Sequence, residues 1–374
     1  MLSQIMRKET RELYRTPILQ QTAFWSDVKN QLGLTSLAID FRSDRSGLFT
    51  GSPLSGHIHS DLLVLIMPLG NGHSLAYVPY GPELEPGEEA QGPFLEELTE
   101  SLRSFLPAHC IAVRYDLFWE SWWAREEERY DDRGFWLGEP QRGFSELRFN
   151  FNTIRKNFRK AHFNILPANT IFIDLKPELE TILHRMKPKT RYNIGLAFRK
   201  GVSVRSAGLE SIDTWYELYR ETAIRNRLTL NDVKYFEAIL KARAESTSSP
   251  AEVHLLIAEE GHTPLAALFL ILSGNRGCYL YGASSDAGRN KMATYALQWE
   301  AIRISRERGC TGYDMFGVAP NPDPSHPLYG LYKFKSGFGG NIYHSMGCWD
   351  YPLNEEEYVR YLHTELTSKG YHLG

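Results

Sequence analysis

The chain has 374 residues, enough for two ordinary domains that each bury a core of their own. With 42% hydrophobic and 23% charged residues it has the balance of a folded globular protein, which excludes a disordered or fibrous chain. The formal net charge of −3 excludes a global basic field, so DNA is not an expected partner and any RNA contact must come from a local basic patch.

In chain order, residues 1–15 are polar and mixed in charge, without the apolar stretch of a secretory signal. The longest apolar run, 62–69, is far too short to span a bilayer, which leaves at most a peripheral membrane association. A cytoplasmic protein is the expectation. The four cysteines, Cys110, Cys278, Cys310 and Cys348, are scattered, so neither disulfides nor a metal site is expected, and no cofactor.

The run at 62–69 reads as a strand, Gly70-Asn71-Gly72 as a hairpin turn, and 74–78 as the second strand. Phe94, Leu95, Leu98, Leu102 and Phe105 recur at helical spacing, Pro107 stops that helix, and 110–116 supplies a further strand. Downstream the order returns. Strands are expected at 255–259 and 265–272, a turn at 273–277 and a strand at 278–283. A helix follows, with Met292, Tyr295, Ala296, Trp299 and Ile302 on one stripe and Gly309 past its end, then a strand with Tyr313 and Asp314. Both copies place Tyr-Gly after the hairpin (Tyr80, Tyr281) and Tyr-Asp on the strand after the helix (Tyr115-Asp116, Tyr313-Asp314). An internal duplication accounts for this order.

A hairpin before each helix argues against a doubly wound parallel sheet. The arrangement resembles a pair of GNAT acyltransferase cores. The expected fold is α/β (α+β), two tandem GNAT-like acyltransferase domains with mixed sheets. The first domain would comprise 1–165 plus 346–374, and the second 166–345. Between the copies, 119–163 reads as an extended loop or helical lid. The stretch 178–241 reads as a helix-rich opening of the second domain, with helices near 213–227 and 231–244.

A GNAT enzyme that uses acyl-CoA cradles the pyrophosphate on a glycine-rich turn at a helix N-terminus, where backbone amides must come close to phosphate. The corresponding turn, 288–294, carries Lys291, Met292 and Ala293 in place of the glycines, and 87–93 has no such motif. Another acyl donor is therefore expected.

Six motifs in order resemble the FemABX peptidyltransferases over nearly the whole chain. They are LQQTAFWSDVKNQLG at 19–33, YVPYGP at 77–82, RYD at 114–116, KPKTRYNI at 187–194 followed by AFRKGV at 197–202, YLYGAS and YDMFG at 279–284 and 313–317, and GLYKFKSGFGG at 330–340. The resemblance implies transfer of an amino acid from aminoacyl-tRNA to a side-chain amine of a peptidoglycan precursor. The ester is already activated, so the site must align amine and ester, move a proton and stabilise an oxyanion or leaving ribose oxygen. No long heptad segment interrupts the second domain, which implies the compact FemX-like form without a coiled-coil arm.

Carried over residue by residue, the resemblance makes Lys335, behind Phe334, the catalytic cation, with Gly337, Gly339 and Gly340 allowing close backbone approach. Asp116 becomes the carboxylate for the acceptor amine, and Asp314 its more structural repeat partner. Lys29, one helical turn after Trp25, would hold precursor phosphate, and Tyr235 and Tyr281 would line the acceptor groove. Some relatives place an arginine four residues before the groove tyrosine; here that residue is Asn231, with Arg225 and Arg227 as substitutes. The acceptor therefore stays open between the UDP-MurNAc-peptide and lipid II. For tRNA phosphate the basic stretches are 155–160 and 185–200, the latter with Lys187, Lys189 and Arg191. Two other readings stand beside this one: a GNAT-like N-acyltransferase with a different donor, and a precursor-binding relative without activity.

Overall fold

A computed structural model describes residues 1–49, 55–70, 72–226 and 229–367. Asn71, in the expected hairpin turn, and Arg227 lie outside the described residues. The strands in chain order are β1 (Leu2–Lys8), β2 (Thr35–Asp44), β3 (His57–Gly70), β4 (His73–Val78), β5 (Cys110–Glu120), β6 (Arg159–Lys160), β7 (Asn169–Asp174), β8 (Val202–Ala207), β9 (Ala251–Glu260), β10 (Thr263–Ser273), β11 (Arg276–Ser284), β12 (Gly312–Asp314) and β13 (Asn341–Pro352). The chain divides into two compact units. One is Met1–Tyr14, Gln20–Ala168 and His344–Gly374; the other is Arg15–Leu19 and Asn169–Tyr343.

In the first unit β1 to β4 pair antiparallel in sequence order, β4 runs parallel to β5, and β5 pairs antiparallel with β13. The crossover from β4 to β5 is the helix Glu88–Leu102, whose Phe94, Leu95, Leu98 and Leu102 are wholly buried. They pack with Ile39, Val64, Val113 and Tyr115 in one core. Burying each such side chain contributes about 1.5–3 kcal/mol. The opposite face of β5 carries Arg114 and meets the helix Glu355–Thr367. There the Arg114 guanidinium donates to Asp350 at 2.6 and 2.8 Å and to Glu365 at 2.6 Å, and the Tyr358 hydroxyl donates to Asp350 at 2.8 Å. The arginine of the RYD motif is thus a buried clamp inside its own unit.

The second unit repeats the plan. β8, β9, β10 and β11 pair antiparallel, β11 runs parallel to β12, and β12 pairs antiparallel with β7. The crossover helix Ala293–Glu307 packs Ala296, Leu297, Ala301 and Ile302 against Leu256, Leu268 and Leu270. The other face of this sheet is aromatic: Trp215 from the helix Ile212–Asn226 and Phe236 from the helix Val233–Lys241 meet Phe269. The stretch read as helix-rich also contains β8, between the helices Pro188–Arg199 and Ile212–Asn226.

The two units also match in detail. The Tyr115 hydroxyl lies 2.9 Å from Thr99 Oγ1 on its crossover helix, and the Tyr313 hydroxyl donates at 2.7 Å to Gln298 on the other. Each tyrosine is followed by a buried aspartate. The fold is therefore α/β with two GNAT-like units and mixed sheets.

Candidate functional site

Lys335 closes the short helix Tyr329–Lys335 and is only 4% exposed. It is thus a buried lysine on a helix. Its Nζ donates to the carbonyl oxygens of Gly317 at 2.6 Å and Phe316 at 3.2 Å. It also sits 5.1 Å from the centre of the Tyr279 ring, a cation–π arrangement. Burial disfavours the charged ammonium and lowers its pKa from 10.5 to about 7, with the Asp314 carboxylate opposing. Asp314 is itself buried. It accepts from Thr170 Oγ1 and from the Phe316 amide at 2.8 Å. Phe334 packs edge-on against Tyr295 and Phe338, which fixes the turn that delivers Lys335. Lys333, two residues earlier, is exposed over Tyr329.

The glycines after Lys335 serve the chain's own packing. A Cβ on Gly337 would lie 2.3 Å from Thr190 Oγ1, and one on Gly340 would lie 2.5 Å from the Phe172 carbonyl oxygen. Gly339, at φ 79°, is left-handed and faces the Arg185 carbonyl. The close backbone approach expected there is made to the helix Leu179–Arg185, to Thr190 and to β7.

Tyr281 and Tyr235 are brought together, the Tyr281 hydroxyl donating to that of Tyr235 at 3.3 Å. Both rings pack against Phe236. Asn231 lies beside them, with its amide NH 3.5 Å from the Tyr219 hydroxyl and its carbonyl accepting from Tyr216 at 3.2 Å. Its side-chain Nδ2 is buried and directed at the Tyr281 hydroxyl. Arg225 does not join this cluster. It binds Ser284 and Thr222 and pairs with Asp286 at 3.0 Å, tying the end of β11 to the helix Ile212–Asn226.

Asp116 sits mid-strand in β5 and is wholly buried, so it is no turn-capping strand end. Its Oδ2 accepts from the Leu166 amide at 2.8 Å and the Tyr77 hydroxyl at 2.9 Å. Burial raises its pKa to about 6, with those two donors opposing. Lys29 is half-buried on the helix Ala23–Gln31, its Nζ 4.8 Å from the Trp25 ring centre, and Thr22 caps that helix by accepting from the Trp25 amide. In the same motif Gln21 is structural: it accepts from the Leu63 amide and donates to the Pro79 carbonyl.

Lys187 and Lys189 are exposed at the start of the helix Pro188–Arg199. Arg191 is committed locally, donating to the carbonyls of His184 and Met186. At the turn where a CoA cradle would lie, Met292 takes φ 59°, and Lys291 pairs with Glu260. Among the described residues no group of His, Cys, Asp and Glu is placed to hold a metal ion, and no helix is long and apolar enough to cross a membrane.

Sequence reasoning passed over Tyr279, which floors the Lys335 site. A bulge in the pairing of β10 with β11 sets Tyr281 opposite Phe269 and Tyr279 opposite Leu270, so the two tyrosines face opposite sides of the sheet. Gly282 makes room: a Cβ there would lie 1.8 Å from the Tyr279 hydroxyl.

A lipid II:glycine glycyltransferase of Staphylococcus aureus (strain USA300) is 24% identical over 274 residues, 57% of this chain and 65% of that protein. The same holds for that enzyme in strains COL and MRSA252, so the chain spans about 65% of the length of the curated relatives it matches. A crystal structure of FemX superposes with a TM-score of 0.69 at 18% identity, covering 96% of this chain and 99% of that one, a likeness of fold. The profile of the FemAB family matches residues 14–247 and 242–364, nearly the whole described chain, and the protein belongs to that family.

Proposed function

We propose that this protein transfers an amino acid from aminoacyl-tRNA to a side-chain amine of the stem peptide of a peptidoglycan precursor. The product would carry an interpeptide bridge or branch, and the reaction would take place in the cytoplasm. Aminoacyl transfer to a peptidoglycan precursor is supported by the family and by the named activity of the staphylococcal relatives. The observation that carries the finer reading is Lys335, a buried lysine with a pKa near 7 held by two carbonyls beside a buried aspartate.

In the reaction the amine nitrogen bonds to the ester carbonyl carbon, the bond to the ribose oxygen breaks, and the amine gives up a proton as the ribose oxygen gains one. A lysine near neutrality can supply that proton and then recover one, and its charge stabilises the oxyanion on the way. Phe334 fixes its approach. Tyr235, Tyr281 and Asn231, on the face of β11 opposite Tyr279 and Lys335, would hold a part of the acceptor away from the reacting amine, and Arg225 shapes that groove's edge by holding β11. Lys29 contacts precursor phosphate, and Lys187 and Lys189 contact tRNA phosphates, with Arg191 in support. Asp116 acts through Tyr77 and the Leu166 amide, since its carboxylate has no exposed surface.

The test is incubation of the purified protein with charged tRNAs and either UDP-MurNAc-pentapeptides or lipid II, followed by mass measurement. A tRNA-dependent gain of one aminoacyl residue is expected, reduced about a hundredfold or more in Lys335→Met. No gain with any pair removes the tRNA-dependent reading.

A further inference from the structure

The segment 142–156 presents an apolar surface that the reaction does not use. On the helix Arg142–Phe149, Ser145 and Phe149 turn inward, while Phe144 and Leu147 stand 61% and 68% exposed. Phe151 follows at 75% and Ile154 at 93%. Phe144, Leu147 and Phe151 line one groove of about 310 Å³ with Trp122 and Trp123. Four large apolar side chains held in water within eleven residues make a patch, not scattered exposure.

The tip is built, not loose. Glu96, buried on the crossover helix, accepts from the amides of Ile154 at 2.7 Å and Arg155 at 2.8 Å. Asn150 bonds Phe158 in both directions, donating to its carbonyl at 2.9 Å and accepting from its amide at 3.0 Å. A buried carboxylate is spent on holding Ile154 outward.

Charge names the occupant. The tip, 151–156, carries Arg155, whose side chain is 60% exposed, and exposed Lys156, with no acidic residue. Arg155 has one weak partner, Glu100 at 3.4 Å, which solvent screens. Arg148 is held in the groove by Glu88 and Glu126 over the Trp122 and Trp123 rings, and Glu89 is the further acid lining it. Apolar wedges flanked by cations fit the boundary between acyl chains and anionic headgroups. Nucleic acid would use the cations but leave Phe151 and Ile154 in water. We infer that this segment docks the protein on an anionic lipid bilayer, with Phe151 and Ile154 entering the acyl boundary and Arg155 and Lys156 meeting lipid phosphate.

The test is sedimentation of the full chain with vesicles of phosphatidylethanolamine and phosphatidylglycerol, and with phosphatidylcholine alone. Binding to the anionic vesicles is expected, weakened by salt. Phe151→Ser with Ile154→Ser should lower it at least about tenfold, since each side chain loses its apolar burial. Arg155→Gln with Lys156→Asn should lower binding to anionic vesicles and leave phosphatidylcholine binding unchanged. All four residues are at the surface, and an unchanged circular dichroism melt certifies the fold. Absence of wild-type binding, or equal binding by the serine variant, overturns the inference. So does loss of RNA binding or of self-association in these variants while the wild type ignores vesicles, which would assign the patch to RNA or to a second copy. Vesicle binding needs neither substrate nor catalysis, so its failure and a failed transfer assay are separate results.

Discussion

Replacing Lys335 by Met tests the electrostatics of the site without any substrate. The ammonium has a pKa of about 7 in the folded chain against an ordinary 10.5. A depressed pKa means that the folded state prefers neutral lysine, so stability is full above about pH 10.5 and is lost as pH falls through about 7. That gap corresponds to about 5 kcal/mol lost at acidic pH. By the same linkage the loss is about 4 kcal/mol at pH 7 and about 2 kcal/mol at pH 9. Methionine has no such dependence, though it leaves the Gly317 and Phe316 carbonyls without their donor, a constant cost of about 1–3 kcal/mol each. The diagnostic is therefore the change with pH. Urea titrations at pH 7 and pH 9 should show the wild type gaining about 2 kcal/mol relative to Lys335→Met over that interval. Parallel stability curves for the two proteins would refute the depressed pKa, and with it the account of a lysine poised near neutrality.

Asp116 has the opposite sign. Its pKa is raised to about 6 from 3.8, so its contribution is present below about pH 4 and lost as pH rises through 6. Between pH 4 and pH 7 the wild type should lose about 2–3 kcal/mol relative to Asp116→Asn, measured by urea unfolding. Arg114→Ala should cost about 3–5 kcal/mol, because Asp350 then stays buried without its cation, with only the Tyr358 hydroxyl against it; adding Asp350→Asn should recover part of that. Gly340→Ala should cost about 1–3 kcal/mol in thermal or urea unfolding, since the new methyl meets a backbone oxygen that cannot swing away.

The hairpins, the crossover helices and the strands that follow them were legible because each has a clean period: apolar runs at 62–69 and 265–272, and stripes such as Phe94, Leu98 and Leu102. β1 and β2 were not legible. Their exposed and buried positions follow an irregular pattern that never gives a long apolar signal. β13 was missed because it is buried on both faces from His344 to Pro352, so it has no period of two, and the polar His344, Ser345 and Asp350 interrupt its apolar run. Lys335 was found by resemblance, yet its burial and its carbonyl cage could not be read from the sequence, because they arise where separate segments meet. Tyr279 was hidden by the bulge, which breaks the period of two on which strand-face reasoning rests.

The duplication locates the origin of the lysine site. In the first unit β5 continues past Asp116 to Glu120, with Leu117 and Glu120 registered against Gly347 and Ser345 of β13. In the second unit β12 ends at Asp314, the residue that repeats Asp116. Phe316, two residues on, turns to φ 58°, and its amide is taken by the Asp314 carboxylate instead of a neighbouring strand. That turn directs the Phe316 and Gly317 carbonyls at Nζ of Lys335. A non-glycine residue in the left-handed region is costly, and here the cost produces two acceptors and an aspartate beside one buried lysine. Asp314, expected to be the more structural repeat partner of Asp116, thus lies beside the candidate lysine. It holds the turn through the Phe316 amide, and its charge opposes the full loss of the proton from Lys335.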